Sequence, residues 1–490
     1  MTIDFGWPSK ISKKEDLSAK FPPFYFRADK FQTSLNIRKK NKSQYCYCYS
    51  CMKKYILLLG FFFLIFNALH SQENNQKKTF TLEECLQYAE SNNFSLQSAN
   101  INVSSAELNL KQAKLNIAPS ISASATQNVS FGNYEKSVGW GGNYGINAGM
   151  TLFNGLSNAN KIKQSKLEVE QSQLQLENNK NNIRISVIQA FLAIMMNEDL
   201  LSYQEQVLAT SKEQVEQGDQ KLNVGQILES DSKILHAQYT SDLYNFENIK
   251  NNIRVNYLKL KSLLSIDPFQ DISIVRPDST TLFKSLELPT LETLIERSMA
   301  YLPQLKMSEN EITNAEYDVK IQKSAYYPTL SANAGINTGY NGSNLTTPNT
   351  GWGTQLWHGL SENIGLTLNI PIYQHGSVRN NVKLAEYRAE QVELDHKETM
   401  YQIGQELQQN YLEVLSAQND FLAAEAKMQA YLDNYKTYSM KFKYGSVTAV
   451  ELIQQQTDFL DELNNFMQTK YTYVLKRKIL DIYMGVPVTL

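Results

Sequence analysis

An internal duplication constrains this chain more than any other feature. Thr81-Leu82-Glu83 recurs as Thr290-Leu291-Glu292, 209 residues on, and Pro119 recurs as Pro328 at the same offset. The heptapeptide from Ile117 to Ala123 resembles the one from Tyr326 to Ala332. Further on, Leu152-Phe153-Asn154-Gly155 parallels Ile372-Tyr373-Gln374-His375-Gly376, and Val224-Gly225 parallels Tyr444-Gly445 at an offset of 220. The second copy has therefore gained 11 residues between Pro328 and Tyr373. Gly339-Tyr340-Asn341-Gly342-Ser343 and Thr347-Pro348-Asn349 in that stretch have loop chemistry. The body is two copies of one unit, the second with the longer loop.

Within each unit the hydrophobic period changes. After Pro119 it is two: Ile121, Ala123, Ala125, Val129 and Phe131 alternate with small polar residues. Tyr144, Ile146, Ala148, Met150 and Leu152 form a second such run. Copy two repeats the pattern with Leu330, Ala332, Ala334 and Ile336, then Ile364, Leu366, Leu368, Ile370 and Ile372. This predicts four strands of about ten residues, each with an apolar and a polar face. A soluble sheet usually carries Lys and Glu outside; here the polar face is Ser, Asn, Gly and Thr. That matches strands with one face to lipid and one to a lumen.

After each strand pair the period becomes 3.5. In copy one Val187, Ile194, Leu201, Leu208, Val215 and Leu222 fall seven apart. In copy two an alternating 3–4 ladder runs from Met400 to Phe442, broken only at Asn410. Such spacing predicts coiled-coil helices. The stretch from Leu156 to Leu222 lacks proline, and as one helix it would be about 100 Å long. A second helix is expected from Gly225 to about Ser265, and its counterpart from Val447 to about Met484.

The N-terminus has different chemistry. Residues 1–51 carry a net charge of +6, Lys53 and Lys54 add two more, and residues 72–490 sit at −10. An acidic body gives no footprint for nucleic acid. Met52 to Ser71 has a basic start, an apolar run from Tyr55 to Leu69 and a cleavage site at Leu69-His70-Ser71 before Gln72, the layout of a secretory signal peptide. A signal begins at its own methionine, so residues 1–51 read as an upstream extension. The Cys46-x-Cys48-x-x-Cys51 cluster lacks a fourth ligand for metal, and Cys85 is the only cysteine after it. The expected organisation is extension 1–51, signal 52–71, first repeat 79–268, linker 269–289 and second repeat 290–488. No stretch of the body has 18 consecutive apolar residues.

Four strands cannot close a barrel, and open edges are not tolerated in lipid. If these strands cross a membrane, the chain oligomerises, with its long helices outside the bilayer.

Together these features resemble the TolC family of outer-membrane efflux and secretion ducts. The likeness covers nearly all of 79–488. It rests on the duplicated unit, the Ala-x5-Pro approach to the first strand (Ala113 to Pro119), the aromatic-x-Gly turn into the long helix, and the glycine-centred hairpin between long helices. The resemblance implies a mainly α fold with a transmembrane β-barrel part: a trimeric 12-stranded barrel in the outer membrane joined to a periplasmic α-helical barrel. It implies a passive exit duct for a tripartite efflux pump or type I secretion system. The expected partners are two further copies, outer-membrane lipid, a periplasmic adaptor and an inner-membrane transporter. No cofactor, metal or nucleic acid is expected.

The functional candidates lie at the two helical hairpins. Each tip has a glycine, Gly225 or Gly445, suited to a left-handed turn. Six residues later each has a carboxylate, Asp231 or Glu451. A ring of these from three chains would attract cations; as single groups they are also the charges a helix N-terminus favours. By resemblance, Val224, Gly225, Gln226 and Ile227, with Tyr444, Gly445, Ser446 and Val447, contact the adaptor. The family's gate aspartates fall on Glu451 and Gln454, its gate tyrosine on Phe442 and its gate arginine on Val447, so the gate is wired differently here.

No enzyme constellation emerges. His70, His236, His358, His375 and His396 are scattered, and Gly139-Trp140-Gly141-Gly142 lies between strands. Trp352 and Trp357 suit a folded loop or a membrane interface. An exported coiled-coil scaffold without a pore would explain the heptads but not the duplicated strands. A periplasmic enzyme or binding protein is the other alternative.

Overall fold

The computed structural model describes residues 78–131, 138–277, 288–343 and 351–487. Residues 76–490 form one unit. The extension, the signal segment, the cysteine cluster, part of the linker and Thr347-Pro348-Asn349 lie outside the described residues.

The duplication appears as two matching runs of elements. Copy one holds β1 (Lys78–Phe80), α1 (Leu82–Asn92), α2 (Phe94–Leu115), β2 (Ser120–Phe131), β3 (Val138–Asn154), α3 (Ser157–Asn223), α4 (Glu229–Leu264) and β4 (Ile272–Ile274). Copy two holds α5 (Leu291–Tyr301), α6 (Pro303–Lys323), β5 (Thr329–Ser343), α7 (Trp352–His358), β6 (Ser361–Asn369), α8 (Ser377–Lys443) and α9 (Ala449–Tyr483). Both copies start a helix at the same cap. Thr81 accepts from the Glu84 amide in a full capping box, and Thr290 accepts from the Thr293 amide.

The four long strands form one antiparallel sheet, ordered β2-β3-β5-β6. Its register aligns like with like. Ile121, Ala148, Ala334 and Ile364 make one apolar row across all four strands; Ser122, Asn147, Gly335 and Asn363 make the adjacent polar row. The strands run to 12, 17, 15 and 9 residues, where about ten were expected. The excess on β3 and β5 continues past the apolar rows into one holding Gln127 and Tyr340, whose amide and hydroxyl hydrogen-bond at 2.5 Å. Two expected strand residues fall outside. Ile370 and Ile372 follow the end of β6 because Pro371 has no N–H to give the ladder. On β3 a bulge leaves Leu152 without a partner and sets Phe153 opposite Leu330, so the apolar set changes phase there. Trp352 and Trp357 sit exposed on α7, which packs on β5.

A two-residue left-handed turn leads from each strand pair into its long helix. It is Gly155-Leu156 in copy one and His375-Gly376 in copy two, all four with positive φ. The two glycines therefore occupy successive places of one turn. At Gly155 a Cβ would lie 2.5 Å from the Ser324 carbonyl oxygen, so that place admits only glycine.

α3 and α8 are both 67 residues long, about 100 Å each. In the upper part the helices form a layer in the order α2, α3, α6, α8. Below it, α3 folds back on α4, α8 folds back on α9, and α9 packs against α3 and α4. The second helix of each hairpin begins a few residues later than the glycine suggested, after extended Leu228 and Thr448. The core sits where α1, α3, α4 and α9 meet, around Val187, Ile188, Phe191, Ile194, Met195, Leu260 and Leu264. α3 contains one 18-residue window apolar enough, by length and composition, to cross a membrane. Less than half of that window, 44%, is buried within the protomer.

The copy-two ladder is buried or half-buried from Ile403 to Phe442, and Asn410 satisfies its own amide at the Glu406 carbonyl. Copy one departs from expectation below the core. Leu201, Leu208, Val215 and Leu222 are only half-buried. The buried stripe is Gln204, Val207, Ser211, Gln214 and Gly218, at the same 3–4 spacing but on a neighbouring face. Three of these five are polar, and two of them serve a buried carboxyl, Asp242 of α4: Ser211 hydrogen-bonds the carboxyl directly and Gln204 donates to the Asp242 carbonyl. A period count over apolar residues cannot see such a stripe.

Candidate functional site

Both hairpin tips close in the same way. Gln226 and Gly225 donate their amides to the Lys221 and Leu222 carbonyls at 2.8 and 2.9 Å. Ser446 and Gly445 do the same to Lys441 and Phe442, at 2.9 and 3.0 Å. This double bond around a left-handed residue requires φ near +75° at the glycine, as found at Gly225 and Gly445. It leaves Val224, Gly225 and Gln226 in one copy, and Tyr444, Gly445 and Ser446 in the other, exposed at the extremity. Ile227 and Val447 turn inward and are half-buried.

The two tips meet at a cleft of about 370 Å³ lined by Lys221, Gln226, Ile227, Asp231, Phe442, Val447 and Glu451 among others. Phe442 is buried between the hairpins. Lys221 lies over its ring, 4.5 Å from the centroid, and donates to its carbonyl oxygen at 2.5 Å. That oxygen is one of the last of α8, where a cation is favoured. Burial pushes the Lys221 ammonium below its ordinary pKa. Lys221 is not among the residues that the sequence singles out. A helix-end lysine is common, and nothing in one chain segment shows that its partner is 221 residues away.

The two candidate carboxylates are used differently. Glu451 closes a capping box at the start of α9: its carboxylate accepts from the Thr448 amide at 2.8 Å and hydroxyl at 3.0 Å. These bonds hold its pKa below the usual carboxylate range. Asp231 occupies the same place in α4, half-buried, where the cap residue is Leu228 and no capping box forms. Gln454 is exposed and donates along its own helix to Asp458 at 2.8 Å. The structure thus brings Asp231, Glu451, Phe442 and Val447 to one cleft, with Gln454 one turn above. Near the tip, Asp219 ties α3 to α4, accepting from Ser232 at 2.8 Å with His236 at 3.1 Å. Among the described residues no group of three His, Cys, Asp or Glu is placed to hold a metal ion.

A family model described as "Outer membrane efflux protein" matches residues 85–264 and 294–486. "Outer membrane protein TolC" of Salmonella enteritidis is 22% identical over 306 residues, 61% of this chain and 60% of that protein. The TolC of Escherichia coli K12 is 22% identical over 439 residues, 87% of this chain and 85% of its own length. Among solved structures, the Campylobacter jejuni CmeC outer membrane channel superposes with a TM-score of 0.67 at 18% identity, over 82% of this chain and 85% of that one. The family match takes in both copies of the repeat, from the first helices to the last. This chain therefore belongs to the outer membrane efflux protein family, a channel protein of the outer membrane with a long helical periplasmic part.

Proposed function

We propose that three copies of this chain form one passive duct, the exit of a tripartite efflux pump or a type I secretion system. The observation that carries this reading is that the protomer is unfinished at matching edges. Among the described residues β2 and β6 each leave one side of the sheet unpaired, and residues of the apolar rows such as Ile121, Ile364 and Leu366 are exposed. In the helical layer, the outer helices α2 and α8 each present an exposed apolar line. On α2 it is Phe94, Ile101, Leu108 and Leu115, seven apart; on α8 it is Leu384, Tyr387, Leu394 and Tyr401. Heptad lines of this kind seek another helix, and open strand edges cannot remain open in lipid. The next copy completes sheet and layer together, and three copies give twelve strands and twelve helices.

In this assembly the apolar rows face lipid and the Ser, Asn and Gly rows line the lumen. From the Leu330 row to the Tyr144 row is eight residues along the strand, about 20 Å vertically at the usual tilt, close to the hydrocarbon band. The tips form the periplasmic entrance, where three Asp231 and three Glu451 favour cations over anions. An adaptor engages 224–227 and 444–447, and an inner-membrane transporter supplies the energy. The test is protein expressed from Met52, extracted from outer membranes in mild detergent. Light scattering should give three protomers, negative stain a rod about 100 Å long, and planar bilayers discrete conductance steps. A water-soluble monomer or dimer absent from the membrane would overturn the duct.

A further inference from the structure

Midway down the hairpins a carboxyl is fully buried with no basic partner among the described residues. Asp242 of α4 has no exposed surface. Its Oδ1 accepts from Gln238 Nε2 at 2.9 Å, and its Oδ2 accepts from Gln456 Nε2 of α9 at 2.8 Å. Ser211 Oγ of α3 is hydrogen-bonded to the same Oδ2. Gln204 of α3 donates to the Asp242 carbonyl at 3.1 Å, and Gln214 of α3 reaches the Tyr435 hydroxyl of α8. The groups facing Asp242 are thus Ser211 and Gln204 from α3, Gln238 from its own helix, Gln456 from α9 and Tyr435 from α8, which feels its charge directly. None of them is basic. The cluster joins the copy-one hairpin to α9 of the copy-two hairpin.

The cluster is also short of hydrogen. Ser211 Oγ lies 2.7 Å from the Val207 carbonyl oxygen as well as against Asp242, yet a hydroxyl carries one hydrogen for two acceptors. Gln456 is itself fully buried, and its Oε1 finds no donor. A neutral carboxyl supplies the missing hydrogen: Asp242 donates to Ser211 and Ser211 donates to Val207. An ionised one would leave a charge in a dry interior with only neutral hydrogen bonds around it. Burial pushes the Asp242 pKa up, against the opposing hydrogen bonds of Ser211, Gln456 and Gln238.

We propose that Asp242 holds a proton in the packed bundle, and that losing it as pH rises releases the copy-one hairpin from α9, making the cluster a proton-operated catch. The sign follows from a carboxyl favoured neutral when packed. The catch is fully engaged below the ordinary aspartate range and is lost as pH rises through the raised value. The catch is a property of one protomer's hairpins. Its consequence, an entrance that loosens in alkaline surroundings, rests on the duct reading.

The test uses the full assembly in detergent, wild type against Asp242→Asn, which mimics the neutral acid in shape. Infrared difference spectra should show a protonated-carboxyl band that persists above the ordinary aspartate range and is missing in the variant. Amide hydrogen exchange of 235–246 and 452–460 is then compared between the two at each pH. The two proteins should agree at about pH 5, and wild type should exchange about tenfold faster at about pH 9. If the variant does not assemble, the infrared band and its loss with rising pH in wild type alone decide protonation. In that case wild-type exchange, corrected for the intrinsic pH dependence of amide exchange, reports release. No such band, or exchange without that rise, overturns the catch. A band and a rise in a chain that forms no channel would sink the duct and leave the catch standing.

Discussion

Replacing Lys221 by methionine tests whether the two tips are fastened to each other. Methionine keeps most of the apolar stem and removes the ammonium. Two interactions go with it: the hydrogen bond to the Phe442 carbonyl at 2.5 Å and the cation over the Phe442 ring at 4.5 Å. A hydrogen bond to a charged group contributes about 1.5–3 kcal/mol, and a partly exposed cation–π contact about 0.5–1 kcal/mol. Against this, the variant no longer desolvates an ammonium that burial already disfavours, and screening at a half-buried position trims the total. A net loss of about 2 kcal/mol remains, about 30-fold in the equilibrium between joined and separated tips. Amide exchange of 442–448 at fixed pH reads that equilibrium, with Lys221→Arg as the variant that keeps the charge. The methionine variant should exchange about 30-fold faster and the arginine variant close to wild type. If Lys221→Met leaves these amides within about twofold of wild type, the tips are held by Phe442 and its apolar neighbours, and the lysine fastens nothing.

Gly218→Ala places a Cβ 2.5 Å from Leu235 Cδ1. Overpacking of about 1–3 kcal/mol should outweigh the roughly 1 kcal/mol gained in helix propensity, lowering the denaturation midpoint. Thr448→Ala removes the capping box of α9 and should cost about 1 kcal/mol in helix stability. The Glu451 bonds favour the ionised form, so their contribution is present above the ordinary carboxylate range and lost as pH falls through the lowered value; circular dichroism from neutral to acid pH should lose that dependence in Thr448→Ala. Ile364→Arg puts a charge on the apolar face of β6, worth about 2–4 kcal/mol against lipid insertion. It should reduce the assembled fraction recovered from outer membranes, whereas Asn363→Arg on the polar face should not.

The fold was legible where a strong period met an unambiguous stop. The proline-free stretch gave α3 nearly to the residue and the heptad ladder gave the C-terminal part of α8 from Met400, while alternation gave the two faces of the sheet, because each pattern is set by one partner surface. Local chemistry that competes with the pattern was not legible. Pro371 ends β6 while the apolar alternation runs on, and the β3 bulge moves the apolar position from Leu152 to Phe153. The paired strands β1 and β4, three residues each, are too short to have a period. The site was legible as a place, since the tip glycines and the carboxylates six residues beyond them stand out in any copy. Its wiring was not. Lys221 and Phe442 are 221 residues apart, as are Gln214 and Tyr435, and Asp242 and Gln456 are 214 apart. Separations this close to the repeat offset mean that the two copies face one another at equivalent heights, which no single copy states.

The equal lengths of α3 and α8 make the molecule a double ruler. Deleting one residue from either rod would draw its tip back by about 1.5 Å and turn it by about 100°. Lys221 would then miss Phe442, and Asp242 would miss Gln456 on α9. Adding seven residues to one rod alone preserves its faces but leaves its tip about 10 Å beyond its neighbour's. Only matched changes of a heptad, made in both copies and in the returning helices, keep the tips level. Lengthening or shortening this channel therefore proceeds in paired steps of about 10 Å, and the span it can bridge is quantised by its own duplication.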